Sequence, residues 1–280
     1  MKSLIIATDF SDAANKAAQY AMHLSSYLSI DTVIIYHSYD NELYVNTDLP
    51  IRQTEELQEQ REKTLNTIET LTATLAHIPS KPLNFKAEVN DQGLISGIKT
   101  LIKEYRAELV VIGTTGKSNL EQVLFGSNAM SLAKEITTPL LLVPKSASFK
   151  QLTNAVLACD LKRTEETLPL QSIRHFITAL GLNLHIINVT ASDSEFIADT
   201  IPEQYKLHEL LDDLNPTYDY LEHHDAATAI MEFAHEHQMD LIISIKKMHG
   251  LFKDLFHKSV TKKLAVNTRT PLLLLDAKVN

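Results

Sequence analysis

Residues 4–9 read LIIATD, and residues 155–160 read AVLACD. Each run is short, mostly apolar and ended by an aspartate, a pattern typical of a buried strand. The same offset of 151 relates VIIYH at residues 33–37 to LHIIN at residues 184–188. Internal self-similarity of this kind predicts that the chain contains two copies of one structural unit.

Two later runs repeat at a smaller offset. AELVVIG at residues 107–113 matches MDLIIS at residues 239–244 at an offset of 131 when their last residues, Gly113 and Ser244, are aligned, and TPLLLV at residues 138–143 matches TPLLLL at residues 270–275 at 132. The smaller offset indicates a shorter middle segment in the second copy. With a short polar link after Pro144, the repeat predicts two domains, residues 1–147 and residues 148–280.

Within each copy, short apolar strands alternate with amphipathic helices, which predicts a parallel sheet with helical crossovers. The predicted strands of the first copy lie near 3–8, 32–37, 84–89, 108–113 and 139–143, and its helices near 12–28, 54–77, 92–105 and 128–136. The predicted strands of the second copy lie near 154–159, 183–189, 217–222, 240–245 and 271–275. The sequence therefore predicts an α/β fold with five parallel strands in each copy.

Composition excludes several classes of protein. The net charge is −9 and both halves are acidic, whereas a nucleic-acid-binding surface would be basic. The longest apolar runs have five or six residues, far fewer than the roughly 20 of a membrane span. Cys159 is the single cysteine, so neither an internal disulfide framework nor a cysteine-based metal site is expected. No small-residue cleavage site follows the first strand, so a cytoplasmic protein is expected.

The most informative segment is rich in glycine and runs from GTTGKS at residues 113–118 to GSN at residues 126–128. Backbone N–H groups can hold a phosphate only where the main chain comes close to it, which favours residues without a Cβ. Ser127 then opens a predicted helix, whose free N–H groups and positive dipole end attract an anion. A Walker A motif is excluded, because its first glycine would fall on Val111.

The spacing Gly-x2-Gly-x9-Gly-Ser resembles the nucleotide signature of the universal stress protein family, and the resemblance extends over both halves. It implies two tandem Rossmann-like domains of the adenine nucleotide alpha hydrolase-like type, each a five-stranded parallel sheet flanked by helices. Members of the ATP-binding type hold the base and ribose at the ends of the first two strands, and the phosphates at the glycine loop. The resemblance therefore implies binding of ATP, ADP or AMP, with Mg²⁺ left open.

Carried over position by position, the resemblance gives a set of candidate ligand contacts: Ala7, Thr8, Asp9, Ser38, Ile112, Gly113, Thr115, Gly116, Gly126, Ser127 and Asn128. Ser38 departs from the apolar residue usual in the family. Asp9 has an alternative role, since an aspartate at this point also closes a turn or caps the following helix.

The second copy lacks this loop. Aligned at an offset of 131, Gly113, Gly116 and Gly126 become Ser244, Lys247 and His257, and Ser127 becomes Lys258. Asp160 persists in the place of Asp9. The second domain is therefore expected to be degenerate. Its histidines match no compact metal motif, so no metal ligands are assigned. A metal site or a basic anion site with Lys246, Lys247 and Lys258 stays open as an alternative.

These features favour a regulatory or stress-protective protein that binds an adenine nucleotide, with no catalytic residues assigned. Two alternatives stay open: a slow Mg²⁺-dependent ATPase, and an interaction module with vestigial pockets. The closing strands near 139–143 and 271–275 are apolar edges, which proteins normally cover. The resemblance implies that the corresponding strands of single-domain relatives pair across a homodimer, so we expect these two strands to pair within one chain as a pseudo-dimer. A homodimer of whole chains through other surfaces stays open.

Overall fold

The computed structural model describes residues 2–39, 50–114, 127–190, 200–247 and 255–277. The first half contains β1 (Ser3–Ala7), α1 (Asp12–Tyr27), β2 (Thr32–Ser38), α2 (Pro50–Leu75), β3 (Asn84–Asn90), α3 (Leu94–Tyr105), β4 (Ala107–Thr114), α4 (Ser127–Glu135) and β5 (Leu140–Pro144). The second half contains β6 (Asn154–Ala158), α5 (Thr164–Thr167), α6 (Leu170–Leu180), β7 (Asn183–Thr190), α7 (Thr200–Leu211), β8 (Thr217–Glu222), α8 (Ala226–Glu236), β9 (Leu241–Lys246), α9 (Leu255–Asn267) and β10 (Leu272–Asp276). All ten predicted strands are present.

The strands of the described residues form one sheet in the order β3-β2-β1-β4-β5-β10-β9-β6-β7-β8. Neighbouring strands are parallel within each half, which confirms the predicted α/β fold with five parallel strands per copy. At the centre, β5 and β10 pair antiparallel, with Leu142 opposite Leu272 and Leu140 opposite Leu274. The predicted pairing of the closing strands is confirmed, and it covers the apolar edge that each half would otherwise expose.

Helices cover both faces of the sheet. Successive residues of a strand point to opposite faces, so Leu4 and Ile6 belong to one core while Ile5 and Ala7 belong to the other. The first core includes residues of α1, α2, α6 and α7, and the second includes residues of α3, α4, α8 and α9. This three-layer arrangement leaves the strand ends open for a ligand.

The first helix differs between the halves. In α1, Ser11 caps the helix by accepting a hydrogen bond from the Ala14 N–H at 3.2 Å, as its sequence predicts. In the second half the corresponding segment is divided into α5 and α6, with Leu168 extended between them. Pro169 stands where α1 has Ala18, and proline lacks the N–H that would continue a helix.

Strand register corrects the alignment of the two copies by one residue. Ala7 pairs with Ile112, and its counterpart Ala158 pairs with Ser244. Ser244 therefore corresponds to Ile112, at an offset of 132, and the alignment of Ser244 with Gly113 was wrong. At this offset Gly113, Gly116, Gly126 and Ser127 correspond to Ile245, Met248, Lys258 and Ser259. The second copy still lacks all three glycines.

Candidate functional site

A cleft lies at the carboxyl ends of β1, β2 and β4, where the strand order reverses between β1 and β4. This switch point is the usual ligand site of open α/β sheets. The cleft has a volume of about 310 Å³. Among the candidate contacts it brings together Ala7, Thr8, Asp9, Ser38, Ile112, Gly113 and Asn128.

The turn after β1 presents Asp9 to the cleft. The Phe10 N–H donates to Thr8 Oγ1 at 3.0 Å, and the Ser11 N–H donates to Asp9 Oδ1 at 3.0 Å. Phe10 takes the left-handed backbone conformation with φ of 62°. Asp9 thus closes the turn, as its alternative role requires, and its exposed side chain also lines the cleft.

The end of β2 is tied to the end of β1. His37 Nδ1 lies 2.8 Å from the Thr8 carbonyl oxygen, and because a carbonyl only accepts, this ring nitrogen donates. The second half repeats the contact, with Asn188 Nδ2 donating to the Cys159 carbonyl at 2.8 Å. Both halves therefore fix the relative position of their first two strand ends. In the first half this places Ser38 on the cleft wall.

Gly113 is required by packing. A Cβ at this position would lie 2.4 Å from the Ala13 carbonyl oxygen and 2.8 Å from the Ala14 nitrogen. These backbone atoms belong to the first turn of α1, so the missing side chain lets α1 approach the end of β4. The glycine thus shapes the cleft by placing one of its walls.

The amino end of α4 forms another wall. The helix begins at Ser127, Asn128 is exposed on the cleft, and Ala129 is buried behind it. The N–H groups of a first helical turn have no intrahelical acceptor, so they are available to an anion. Thr115, Gly116 and Gly126 lie outside the described residues, as does the side chain of Ser127.

Some wall residues were not predicted from sequence, namely Ser11, Ala13, Ala14, Leu94, Thr114 and Ala129. The small residues at the start of α1 are a signal that could have been used, because they leave room beside a strand end. Leu94 is the first residue of α3, and it reaches the cleft because the chain crosses back over the sheet after β3. No local pattern indicates it.

An ion pair adjoins the cleft. Lys145 Nζ donates to Asp12 Oδ2 at 2.9 Å, and the Lys145 N–H donates to the Thr114 carbonyl at 2.8 Å. The hydrogen bond and the charge of Lys145 lower the pKa of Asp12 below its usual value. The pair connects the first turn of α1 to the chain after β5.

The equivalent place in the second half is nearly filled. Its cavity has a volume of about 60 Å³ and is lined by Asp160 and Lys247, among others. The Lys247 ammonium forms an ion pair with Asp160 and donates to the Lys162 carbonyl at 3.1 Å. Only 7% of the Lys247 side chain is exposed. A cation of the protein itself therefore neutralises the counterpart of Asp9.

The described residues contain no group of three or more histidine, cysteine or carboxylate side chains placed to hold a metal ion. Within the same residues, no helix combines the length and the apolar character needed to cross a membrane.

Known proteins share this architecture. Residues 1–144 match the sequence model of the universal stress protein family. Universal stress protein MJ0531 of Methanocaldococcus jannaschii is 27% identical over 149 residues, covering 51% of this chain and 82% of that protein. The structure of a universal stress protein from Archaeoglobus fulgidus superposes with a TM-score of 0.71 at 14% identity, over 98% of each chain. A functionally unknown protein, PA1789 from Pseudomonas aeruginosa, superposes with a TM-score of 0.59 at 13% identity, over 98% of this chain and 92% of that one.

Proposed function

Because the chain belongs to the universal stress protein family, we propose that its first half binds one adenine nucleotide, ATP, and that its second half binds none. In this proposal the protein is regulatory or stress-protective, and the bound nucleotide is its signal. The second half serves as a built-in partner for the first through the β5–β10 seam.

The observation that carries the proposal is the difference between two equivalent strand edges. The first-half cleft of about 310 Å³ is close to the smallest volume typical of small-molecule sites, about 300 Å³. The second-half cavity has about 60 Å³, and Lys247 pairs there with the aspartate that corresponds to Asp9. The first half therefore has both a cleft with room for a ligand and an accessible carboxylate, that of Asp9.

Different walls of the first-half cleft suit the base, the ribose and the phosphates of a nucleotide. Ala7, Ile112 and Leu94 offer apolar surface to a base. The Asp9 carboxylate has acceptor capacity beyond its bond to Ser11 and suits a ribose hydroxyl, with Ser38 beside it.

The phosphates suit the amino end of α4. Asn128 supplies an amide donor there, and the first-turn N–H groups of the helix supply more. In this proposal Thr115, Gly116, Gly126 and Ser127 complete the phosphate contacts. Mg²⁺, if bound, would take its ligands from the phosphates and from Asp9.

Gly126→Val tests the location of the site. A β-branched side chain would stand where the main chain must approach the phosphates, so ATP affinity measured by calorimetry should fall at least tenfold, about 1.4 kcal/mol. The matched control is Lys258→Val at the corresponding position of the second half, which should leave affinity unchanged. Equal losses from both substitutions would refute the location.

Comparison of the wild-type chain with Gly126→Val also separates binding from hydrolysis. If the wild-type chain releases phosphate from ATP no faster than Gly126→Val does, the result supports a protein that binds ATP without hydrolysing it. Release well above that of Gly126→Val would favour the slow ATPase instead.

A further inference from the structure

Lys246 is a buried lysine in the second half that bonds to the first half. It is the last residue of β9, and 1% of its side chain is exposed. Its ammonium donates to the Ile136 carbonyl at 2.7 Å and lies 3.9 Å from Asp276 Oδ2. Ile136 directly follows α4 and continues its hydrogen bonding, with its N–H donating to the Leu132 carbonyl at 3.0 Å. Lys246 therefore caps the carboxyl end of α4 from across the seam.

The antiparallel seam explains how this contact arises. Because β10 runs opposite to β5, the carboxyl edge of the second half lies beside the amino edge of the first. Helix α4 ends at that amino edge, just before β5. Lys246 and Lys247 stand where the first half has Thr114 and Thr115, the start of its glycine loop. At these two positions the second half has lysines with different contacts: Lys246 bonds to Ile136 of the first half, and Lys247 pairs with Asp160.

A cation at the carboxyl end of a helix complements the helix dipole. Helix α4 has nine residues, so the carboxyl end that Lys246 holds lies only about 14 Å from the amino end. Burial lowers the pKa of Lys246 to about 8, with the charge of Asp276 partly opposing this, so the side chain remains largely protonated at pH 7. Replacement of both charges of a buried ion pair by well-packed apolar residues is often neutral for stability, so the Lys246–Asp276 pair is weak evidence of a purely stabilising role.

We infer that Lys246 is a positioning residue for phosphate binding: it fixes the carboxyl end of α4, the helix whose amino end receives the phosphates. The inference rests on the proposed function. It gives the second half a specific role in the first-half site, although the second half has no nucleotide loop of its own.

Lys246→Met tests the inference in the full chain, with Lys263→Met as control. Lys263 is a lysine of the same half, but its ammonium pairs with Asp225 at 2.6 Å on the surface. In Lys246→Met, amide hydrogen exchange across residues 127–136 should accelerate at least tenfold. Affinity for ATP should fall at least threefold, while affinity for adenosine, which has no phosphate, should change less than twofold. The control should change none of these.

Unchanged exchange across residues 127–136 would overturn the inference, and so would equal losses of ATP and adenosine affinity, because general destabilisation does not distinguish phosphate from nucleoside. Lys246→Leu is a second apolar replacement and should give the same pattern. Failure of the wild-type chain to bind ATP would instead refute the proposed function. Normal wild-type binding with unaltered ATP affinity in both variants would refute the role of Lys246 alone.

Discussion

At individual residues, the two halves use the same positions for different purposes. Gly113 has no side chain because α1 passes directly over it, whereas the second half has Ile245 at the corresponding position. Asp9 faces an open cleft, whereas its counterpart Asp160 is paired with Lys247. Small changes at matched positions therefore separate a site with room for a ligand from one that the protein fills itself.

Gly113→Ala should destabilise the protein. The added methyl group would lie 2.4 Å from the Ala13 carbonyl oxygen, a backbone atom that cannot move without shifting α1. Overpacking of this kind costs about 1–3 kcal/mol. Urea denaturation should show the loss, and an unchanged midpoint would mean that α1 has more freedom at this contact than its geometry indicates.

Lys247→Ala should destabilise the second half and leave the first-half cleft intact. It removes the ammonium that pairs with the mostly buried Asp160 carboxylate, and loss of one member of a buried pair costs about 3 kcal/mol. The double variant Lys247→Ala, Asp160→Asn should recover part of that loss in denaturation experiments. If the double variant is as unstable as Lys247→Ala alone, the two side chains are not energetically coupled.

At the level of helices and strands, the sequence predicts regular elements well and broken ones poorly. Apolar runs locate inner strands such as β1 and β5, because strands buried on both faces must be apolar. The division of the second half's first helix at Pro169 was not predicted, although a proline inside a helical segment is a clear signal. The one-residue error at Ser244 arose because apolar repeats look alike when shifted, and only strand pairing fixes their register.

The site is less accessible to sequence reasoning than the fold. Asp9, Ser38 and Asn128 are found because the family resemblance can be carried over position by position, and all three lie on the cleft. Leu94 on the cleft wall and Lys246 at the end of α4 come from distant segments. Their positions depend on the crossover after β3 and on the antiparallel seam, which no local pattern encodes.

Leu141→Pro should disrupt the seam. Leu141 lies opposite Leu273 at the centre of β5, with β4 on its other side, so its N–H is surrounded by the sheet. Proline removes this donor and is found almost only on edge strands. We expect a lowered thermal midpoint together with aggregation, observed by scanning calorimetry and light scattering. A variant as stable and monodisperse as the wild type would contradict the structural importance of the β5–β10 pairing.

At the scale of the whole molecule, the two halves share one sheet and differ at the ends of their strands. Ten strands continue across a seam that relates the two halves, and corresponding strand ends carry the two clefts. The first cleft has about 310 Å³ and the second about 60 Å³, so the similarity of the two halves does not extend to the clefts. In our proposal one half binds the nucleotide, and the other covers its sheet edge and supports its phosphate-binding helix.

Titration calorimetry of the nucleotide-free 280-residue chain with ATP measures the number of sites per molecule. We predict one site per chain, because the second-half cavity is too small for a nucleotide and Lys247 already neutralises Asp160. Two equivalent sites per chain would show that the second half also binds nucleotide. Absence of any binding would show that the first-half cleft is not a nucleotide site.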